Sequence, residues 1–572
     1  MEAMKGDERL KKKPKDRQSE EKQLLALRYM DYYRRARVDI DSRGIHDDIK
    51  KFNDYWEGKQ VQKESASDPA SNTNIVHPMV EGQVAMLIEQ NIAVQALPVS
   101  ASEVPFAKKC TTVLEFIKNR NKMTSIIERH ERRREKYGTG ILRVTFDIEA
   151  LGGAGLPVIE AVENDHIYID PCISDSLKLQ EAEFIIETVV KSIYWARQTY
   201  GDDIADMIDE NYFPYGEADN VDGENPKYLH MLVWTRDRGN LRLVEMSADG
   251  TILSDSKENA KSFYAIGKYP YFITPLYTRD GTIWGKGDVE LLIDSQDLIN
   301  DLDDQIRLNA RLTANPQRLI ETGSGIDLDA LTNEAGLNIP TSDVNAVKDL
   351  QPSSIPDYVI ERRNMAIQYE APKISRFSDQ MLGNKQSGVD TATEALALQQ
   401  SGTQGITFKK QMLQETLSDV FSYCLSLVRE FWTEEVEIRV DEEDNTFIYF
   451  KASELQAINK LREIAEKEED PKVIADGVKE AEFDIVVTVG AGLPTNKAFQ
   501  YNMIREMVSG QIITPPEARQ YFVKQFGLPF DANYPQQMMM PQGGTPPGGA
   551  TQDATIPGVN AGGNVMTGGM PQ

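Results

Sequence analysis

GDVELLIDSQDLINDLDDQIRLNARLTAN, residues 287–315, contains no proline and, after Gly287, no further glycine. Apolar side chains fall at Val289, Leu292, Ile299, Leu302, Ile306 and Ala310, the spacing of one face of an α-helix. The stretch predicts a single helix of about 28 residues, roughly 42 Å long at 1.5 Å per residue. Asp288, Glu290, Asp294, Asp297, Asp301, Asp303 and Asp304 come before Arg307 and Arg311, an order that complements the helix dipole. Pro316 ends it. A rod of that length gains most of its stability from neighbours, so flanking elements are expected.

Downstream, residues 316–356 carry Gly323, Gly325, Gly336, Pro340, Pro352 and Pro356 and read as a compact insertion. A second helix is expected over 357–369, stopped by Ala371-Pro372. Residues 373–388 then read as a polar loop punctuated by Gly383 and Gly388, with Arg376, Asn384, Lys385 and Gln386 in it. Thr391 or Thr393 can open the next helix, which carries Ala392, Ala395, Leu396, Met412, Leu413, Leu417, Val420, Phe421, Cys424, Val428 and Phe431. Gly402 and Gly405 inside it predict a kink or a break. Short strands over 436–440 and 446–450, a charged helix over 453–468 and a strand over 483–489 follow, then Gly490-Ala-Gly492-Leu-Pro494 and two helices over 495–509 and 515–526. Residues 534–572 hold nine Gly, six Pro and one charge, Asp553, a composition that cannot bury a core.

Upstream, residues 1–22 read as a charged, mobile arm. Helical patterns cover 21–56, 79–88 after Asn74-Ile-Val-His77-Pro78, and 103–137. In the last of these, Glu128, Arg129, Glu131, Arg132, Arg133, Arg134 and Glu135 alternate in sign, and read as a solvated or interface face. Gly138-Thr139-Gly140 breaks the helix, and the period changes to two. Strands are expected over 141–148, 158–162, 166–170, 184–190, 228–236, 241–246 and 262–266, with a short helix over 192–210. Strands that cluster instead of alternating with helices indicate an α+β fold.

With 63 Lys and Arg against 90 Asp and Glu, the formal charge is −27. That excludes a protein grasping nucleic acid over its whole surface, because phosphate binding needs a basic footprint. Hydrophobic residues make up 40% and aromatic ones 8%, enough for large cores and against disorder throughout. A length of 572 residues suggests about three folding units. Cys110, Cys172 and Cys424 lie far apart and read as small buried hydrophobes. No secretory signal is read at the N-terminus, and the apolar runs at 184–190 and 483–489 fall far short of the roughly 20 residues that cross a bilayer, so a soluble chain without a membrane partner is expected.

Gly281 to Gly287 resembles a phosphate loop but is one residue short and has Gly287 where a metal-binding hydroxyl belongs. Gly490-Ala-Gly492 has Pro494 and Thr495 where a dinucleotide turn needs its third glycine. His46, His77, His130, His166 and His230 are scattered, with no zinc-protease spacing and no nucleophile elbow. No catalytic residue, metal site or cofactor is expected. Asp301, Asp303 and Asp304 could form a two-metal nuclease cluster, but residues two apart on a helix do not share a face and an acidic stripe is usually solvated.

The order of several motifs resembles the portal proteins of tailed double-stranded DNA bacteriophages, the head-to-tail connectors. These are Asn74-Ile-Val-His-Pro-Met-Val-Glu81, Tyr137-Gly-Thr-Gly140, Tyr168-Ile-Asp170-Pro171, Tyr269-Pro270, Trp284-Gly285-Lys-Gly287 with Gln296-Asp-Leu-Ile-Asn300, Ser387-Gly388 before Glu394-Ala395, and Gly490-Ala-Gly492 before a helical pair. The likeness covers about 30–530. It implies a wing over 23–286, a first stem helix over 287–315 with Gln296, Asn300, Arg307 and Arg311, a clip over 316–356 and a second stem helix over 357–372. It further implies a DNA-facing tunnel loop over 373–390, a long wing helix with returning strands over 391–494 and a helical crown over 495–533. The implied assembly is a closed homo-oligomeric ring of about twelve subunits without ATPase activity of its own, at the portal vertex of the virion capsid. Implied partners are the double-stranded DNA in its channel, the large subunit of the terminase, a head-tail adaptor, and the major capsid and scaffolding proteins. An acidic lumen with few basic residues suits a duplex that must slide, since every neutralised phosphate adds to binding. A metal-dependent nuclease or nucleotidyl transferase built on the acidic cluster, and another structural virion component such as an adaptor, stand as alternatives.

Overall fold

The computed structural model describes residues 20–60, 72–88, 92–98, 104–215, 226–237, 240–257, 267–314, 317–321, 345, 347–350, 353–375, 392–432, 436–439, 447–450 and 483–489. All belong to a compact unit spanning 1–492; the second unit, 493–572, lies outside the described residues, as do residues 1–19 of the arm expected over 1–22, the strand expected over 262–266, residues 376–391 and the helix expected over 453–468, while residues 20–22 of the arm are helical.

Helices and antiparallel strands are mixed, as an α+β chain requires. The helical entry segment is two helices, α1 (Glu20–Ser42) and α2 (Ile45–Glu57), because Gly44 takes a left-handed φ of 71° and turns the chain. Helix α3 (Val76–Ile88) follows, then strand β1 (Ile92–Pro98). The run expected over 103–137 is likewise two helices, α4 (Val104–Arg120) and α5 (Met123–Tyr137), separated at Lys122 with φ 52°. The side chain of Asn121 stabilises this joint by donating to the carbonyls of Ile117 and Pro157 and accepting from the Ile159 amide.

Strands β2 (Thr139–Asp147) and β3 (Leu156–Ala161) form a three-stranded sheet with β9 (Tyr271–Pro275), β2 at its centre. A five-stranded meander runs through β4 (Ile167–Ile169), β5 (Phe184–Ser192), β6 (Lys227–Asp237), β7 (Asn240–Ser247) and β8 (Ile252–Asp255), with Ile186 opposite Val233 and Val233 opposite Val244. The alternation of that register puts Phe184, Ile186, Met231, Val233, Val244 and Met246 into one core, against Tyr29, Tyr33, Ala36 and Ile40 of α1. A hairpin of β10 (Tyr277–Arg279) and β11 (Thr282–Lys286) leads into the long helix α6 (Asp288–Ala314).

Past α6, β12 (Gln317–Ile320) pairs with β13 (Val347–Leu350), and α7 (Asp357–Met365) returns. Pro372 does not end that return. A π-type turn over Ala366–Glu370 carries the helix into a last stretch, Ala371–Ile374, that includes Pro372. Helix α8 (Ala392–Phe431) is 40 residues long and continuous through Gly402 and Gly405, so of the kink or break expected there the break does not occur; a helical glycine costs about 1 kcal/mol relative to alanine, too little to interrupt a helix whose later turns are buried. Its apolar stripe, Leu413, Leu417, Val420, Phe421, Cys424, Leu427 and Val428, packs with Cys110, Val113, Leu114 and Ile117 of α4 and Leu142 and Val144 of β2. A hairpin of β14 (Val436–Arg439) and β15 (Phe447–Phe450) follows, and β16 (Phe483–Val489) returns to pair with β1. Cys110 and Cys424 are buried as expected; Cys172 is exposed, because it follows Pro171 in a turn beyond the edge strand β4.

Candidate functional site

The motifs at 137–140 and 284–287 lie far apart in the chain and touch in space. Gly138 has a φ of 81°, and an added Cβ would stand 2.5 Å from the carbonyl oxygen of Gly285. A Cβ at Gly285 would collide with the Gly138 carbonyl in turn, and one at Gly287 would lie 2.7 Å from the Glu135 carbonyl. The crossing is stitched by the Gly285 amide donating to Thr139 Oγ1 at 2.9 Å and the Leu276 amide donating to the Gly138 carbonyl at 2.8 Å. Glycine is required here because two backbones occupy the space of a side chain.

This crossing seats the first residue of α6 in a buried charged node. Lys409 of α8 is 1% exposed, with Nζ 2.7 Å from Glu135 Oε2 and 2.8 Å from Asp288 Oδ2, and it also donates to Gln83 Oε1. Gln83 Nε2 donates to Asp288 Oδ2 at 2.9 Å and to the carbonyl of Ser375 at 3.2 Å. Arg134 lies 2.6 Å from Glu131 and donates to the Lys409 carbonyl at 3.0 Å, while His130 Nδ1 is 2.8 Å from Glu131 Oε1. The alternating charges of α5 therefore divide: Glu131, Arg134 and Glu135 are fully buried, with Glu135 paired to Lys409 of α8, while Arg129 is exposed and Glu128, Arg132 and Arg133 are half-buried. Burial would lower Lys409, but Glu135 and Asp288 outweigh it and hold the ammonium above its usual range. Burial pushes Glu135 up to about 8, with the charge of Asp288 adding to the effect and Lys409 opposing it. Burial opposes ionisation of Glu131 too, yet Arg134 and His130 bring it below the usual carboxylate range.

Further along α6, Gln296 accepts from the Ile75 amide and donates to the Thr73 carbonyl and to Asn300 Oδ1, each at 2.9 Å. Asn74 bridges two helix ends, donating to the Tyr55 and Trp56 carbonyls and accepting from the His77 amide. Tyr55 donates to Asp297 at 2.8 Å, and Asp303 accepts from Thr73 and pairs with Arg363 of α7. Much of the acidic stripe is thus engaged rather than solvated. Asp303 pairs with Arg363 while Asn309 donates to the Ser353 carbonyl at 2.8 Å, so α6 and α7 run antiparallel.

The two halves of α6 differ. Val289, Leu292, Ile293, Ser295, Gln296, Ile299, Asn300 and Leu302 are buried, whereas Arg307, Leu308, Ala310, Arg311, Thr313 and Ala314 are exposed. On α7 and its extension, Tyr358, Met365 and Tyr369 are 69%, 52% and 67% exposed. Their spacings of seven and four put them on one helical stripe. Leu319 and Leu350 of the hairpin are exposed as well.

Of the residues singled out from the sequence, Gln296 and Asn300 lie on the buried side of α6 and Arg307 and Arg311 on its exposed half; Arg376, Asn384, Lys385 and Gln386 lie outside the described residues. The node residues Gln83, Glu135, Asp288 and Lys409 were missed. Only the unusual Lys409 in an otherwise helical stretch before the apolar stripe of α8 hinted at them. Among the described residues, Glu163, Asp165 and His166 stand close enough to share an ion; Asp301, Asp303 and Asp304 form no such group. No described helix is long and apolar enough to cross a membrane.

A search of curated proteins finds no match. Among protein families, the model of the phage SU10 portal protein matches residues 148–459, more than half of the chain. That span takes in α6, the hairpin beyond it, the returning α7 and the long α8 that bears Lys409. The match takes in Gly285 and Gly287 on one side of the glycine crossing together with Asp288 and Lys409 of the node, and the chain belongs to the phage SU10 portal protein family.

Proposed function

We propose that copies of this chain close into a ring at one capsid vertex, through which double-stranded DNA is packaged and later ejected, and which docks first the large subunit of the terminase and then a head-tail adaptor. In this reading α6 and α7 with its extension to Ile374 are the stem, the segment between them is the clip, and the tunnel loop expected over 373–390 begins after that helix and faces DNA. The wing is 23–286 together with α8, and the crown is 495–533. About twelve subunits close the ring, as the family resemblance implies. Major capsid and scaffolding proteins surround it.

The observation that carries this reading is the exposed stripe of Tyr358, Met365 and Tyr369 beside the exposed half of α6. Large apolar side chains at coiled-coil spacing call for a helical neighbour, and among the described residues none covers them. A second copy presenting its own α6 and α7 fits the need, and repetition of one such heterologous contact closes a ring. The nuclease alternative has less support, because Asp303 already serves Thr73 and Arg363.

Photo-crosslinking tests the conduit. With a photoreactive residue at position 385, DNA stalled during packaging is expected to crosslink to the ring, and the same residue at 194 on the wing surface is expected not to. Lys385→Glu is expected to impair packaging while rings still form. Crosslinking at 194 but not at 385 would overturn the assignment of the loop.

A further inference from the structure

We infer that the cavity between α2, the end of α5 and the β10–β11 hairpin is a binding site for a small organic cation of the amidinium or guanidinium class. The inference depends on neither the ring nor the passage of DNA. The cavity has a volume of about 260 Å³. A cavity of about 150 Å³ already accepts benzene, so this one has room for a ring that carries a polar group. Ile45, Ile49 and Phe52 of α2 supply its apolar wall, with Tyr137 and Trp284 opposite in sequence but beside it in space.

Two acceptors in the lining decide the chemistry of the occupant. Asn164 stands in the short turn Asn164–His166 after β3 and is 3% exposed. Its Nδ2 donates to the Thr139 carbonyl at 2.8 Å, which fixes the amide and leaves Oδ1 buried without a donor among the described residues. A buried acceptor left in that state is costly, and a ligand N–H relieves it. Asp48, in the first turn of α2, is half-buried and forms no ion pair among the described residues. Burial, with the charge of Glu290 adding to it, holds its carboxyl above the usual range against the opposing pull of Arg279 and Lys51. This carboxylate is short of a cation.

The two arginines in the lining do not make an anion site. Arg43 spends Nε on Asp39 at 2.8 Å and Nη1 on the Gly281 carbonyl at 3.2 Å, and Arg279 is paired with Glu290. An anion would bring further acceptors to Asp48 and to Asn164 Oδ1 and serve neither. A planar amidinium or guanidinium brings several N–H donors and a positive charge, and cations of this shape favour aromatic walls such as Phe52, Tyr137 and Trp284.

The test is calorimetric titration of the purified full-length chain with benzamidine, an aromatic ring bearing one amidinium. Saturable binding at one site per chain is expected, with a Kd below about 1 mM. Benzamide, which keeps the shape and loses the charge, is expected to bind roughly tenfold more weakly, and benzoate not at all. Asp48→Asn is expected to weaken benzamidine roughly tenfold, whereas Asp47→Asn, which removes the adjacent exposed carboxylate, is expected to leave it unchanged. Both substitutions are at side chains without a buried ion pair, so the folded chain is retained for the comparison. Ile49→Trp fills the cavity from α2 and is expected to abolish binding. No saturation up to about 10 mM benzamidine would overturn the inference. So would benzamide or benzoate binding as tightly as benzamidine, or equal losses in Asp47→Asn and Asp48→Asn.

Discussion

The two ends of α6 are built by opposite rules. At its root, Asp288 sits among Lys409, Gln83, Glu135 and the glycine crossing, with its Oδ2 engaged by both Lys409 and Gln83. At its far end, Arg307, Leu308 and Arg311 are exposed beside an α7 whose large apolar residues face outward. The root is tied by ion pairs within one chain, whereas the far end leaves large side chains exposed among the described residues. A buried ion cluster contributes little net stability compared with apolar packing, but it fixes geometry, because removing any partner leaves a charge uncompensated. A rigid root with an unfinished outer half is what a subunit needs if its shape must be set before its neighbours arrive.

Lys409→Ala tests that division most severely. It strands Glu135 and Asp288 and is expected to cost about 3–5 kcal/mol in denaturant unfolding of the full chain; a loss below 1 kcal/mol would mean the node is not what holds the root. Gly285→Ala forces a methyl against the Gly138 carbonyl, and about 1–3 kcal/mol is expected from the same measurement.

Glu135 gives the root a pH signature. Its folded-state pKa is raised from 4.5 to about 8, so between those values the folded chain keeps a proton that the unfolded chain has released. Its contribution is therefore largest at low pH and is lost as pH rises toward 8, with a slope of at most about 1.4 kcal/mol per pH unit. Glu135→Gln, which keeps an oxygen for Lys409, is expected to flatten the unfolding free energy over pH 5–8. An unchanged slope would show that the node stays fully ionised. At the far end, Tyr358→Asp with Met365→Asp is expected to change the stability of the isolated chain by less than about 0.5 kcal/mol, because both side chains are exposed, while abolishing assembly in sedimentation. Assembly that survives would place the subunit contact elsewhere.

The contrast also marks how far the sequence could be read. The long helix was legible because a 27-residue stretch without proline or internal glycine has one period only. The meander of β5 to β7 was legible because β-branched runs alternate between turns. Strand β1 was not, since Ile92-Ala-Val-Gln-Ala-Leu-Pro98 finds its partner at Phe483–Val489, a pairing that no local pattern announces. Two helical runs hid their breaks at Gly44 and Lys122, where a single left-handed residue suffices. The node was misread for a physical reason: alternating charges on α5 look the same whether they face water or a buried Lys409, and only the fold brings the far partner near. The motifs at 138–140 and 285–287 were noticed as a pattern, and their cause, two backbones in contact, is tertiary.

Native mass measurement of the purified full-length chain tests the central claim most directly. A single closed species of about a dozen copies, which dissociates on Tyr358→Asp with Met365→Asp, is the predicted result. A chain that stays monomeric at micromolar concentration, with its root intact by unfolding, would contradict the account.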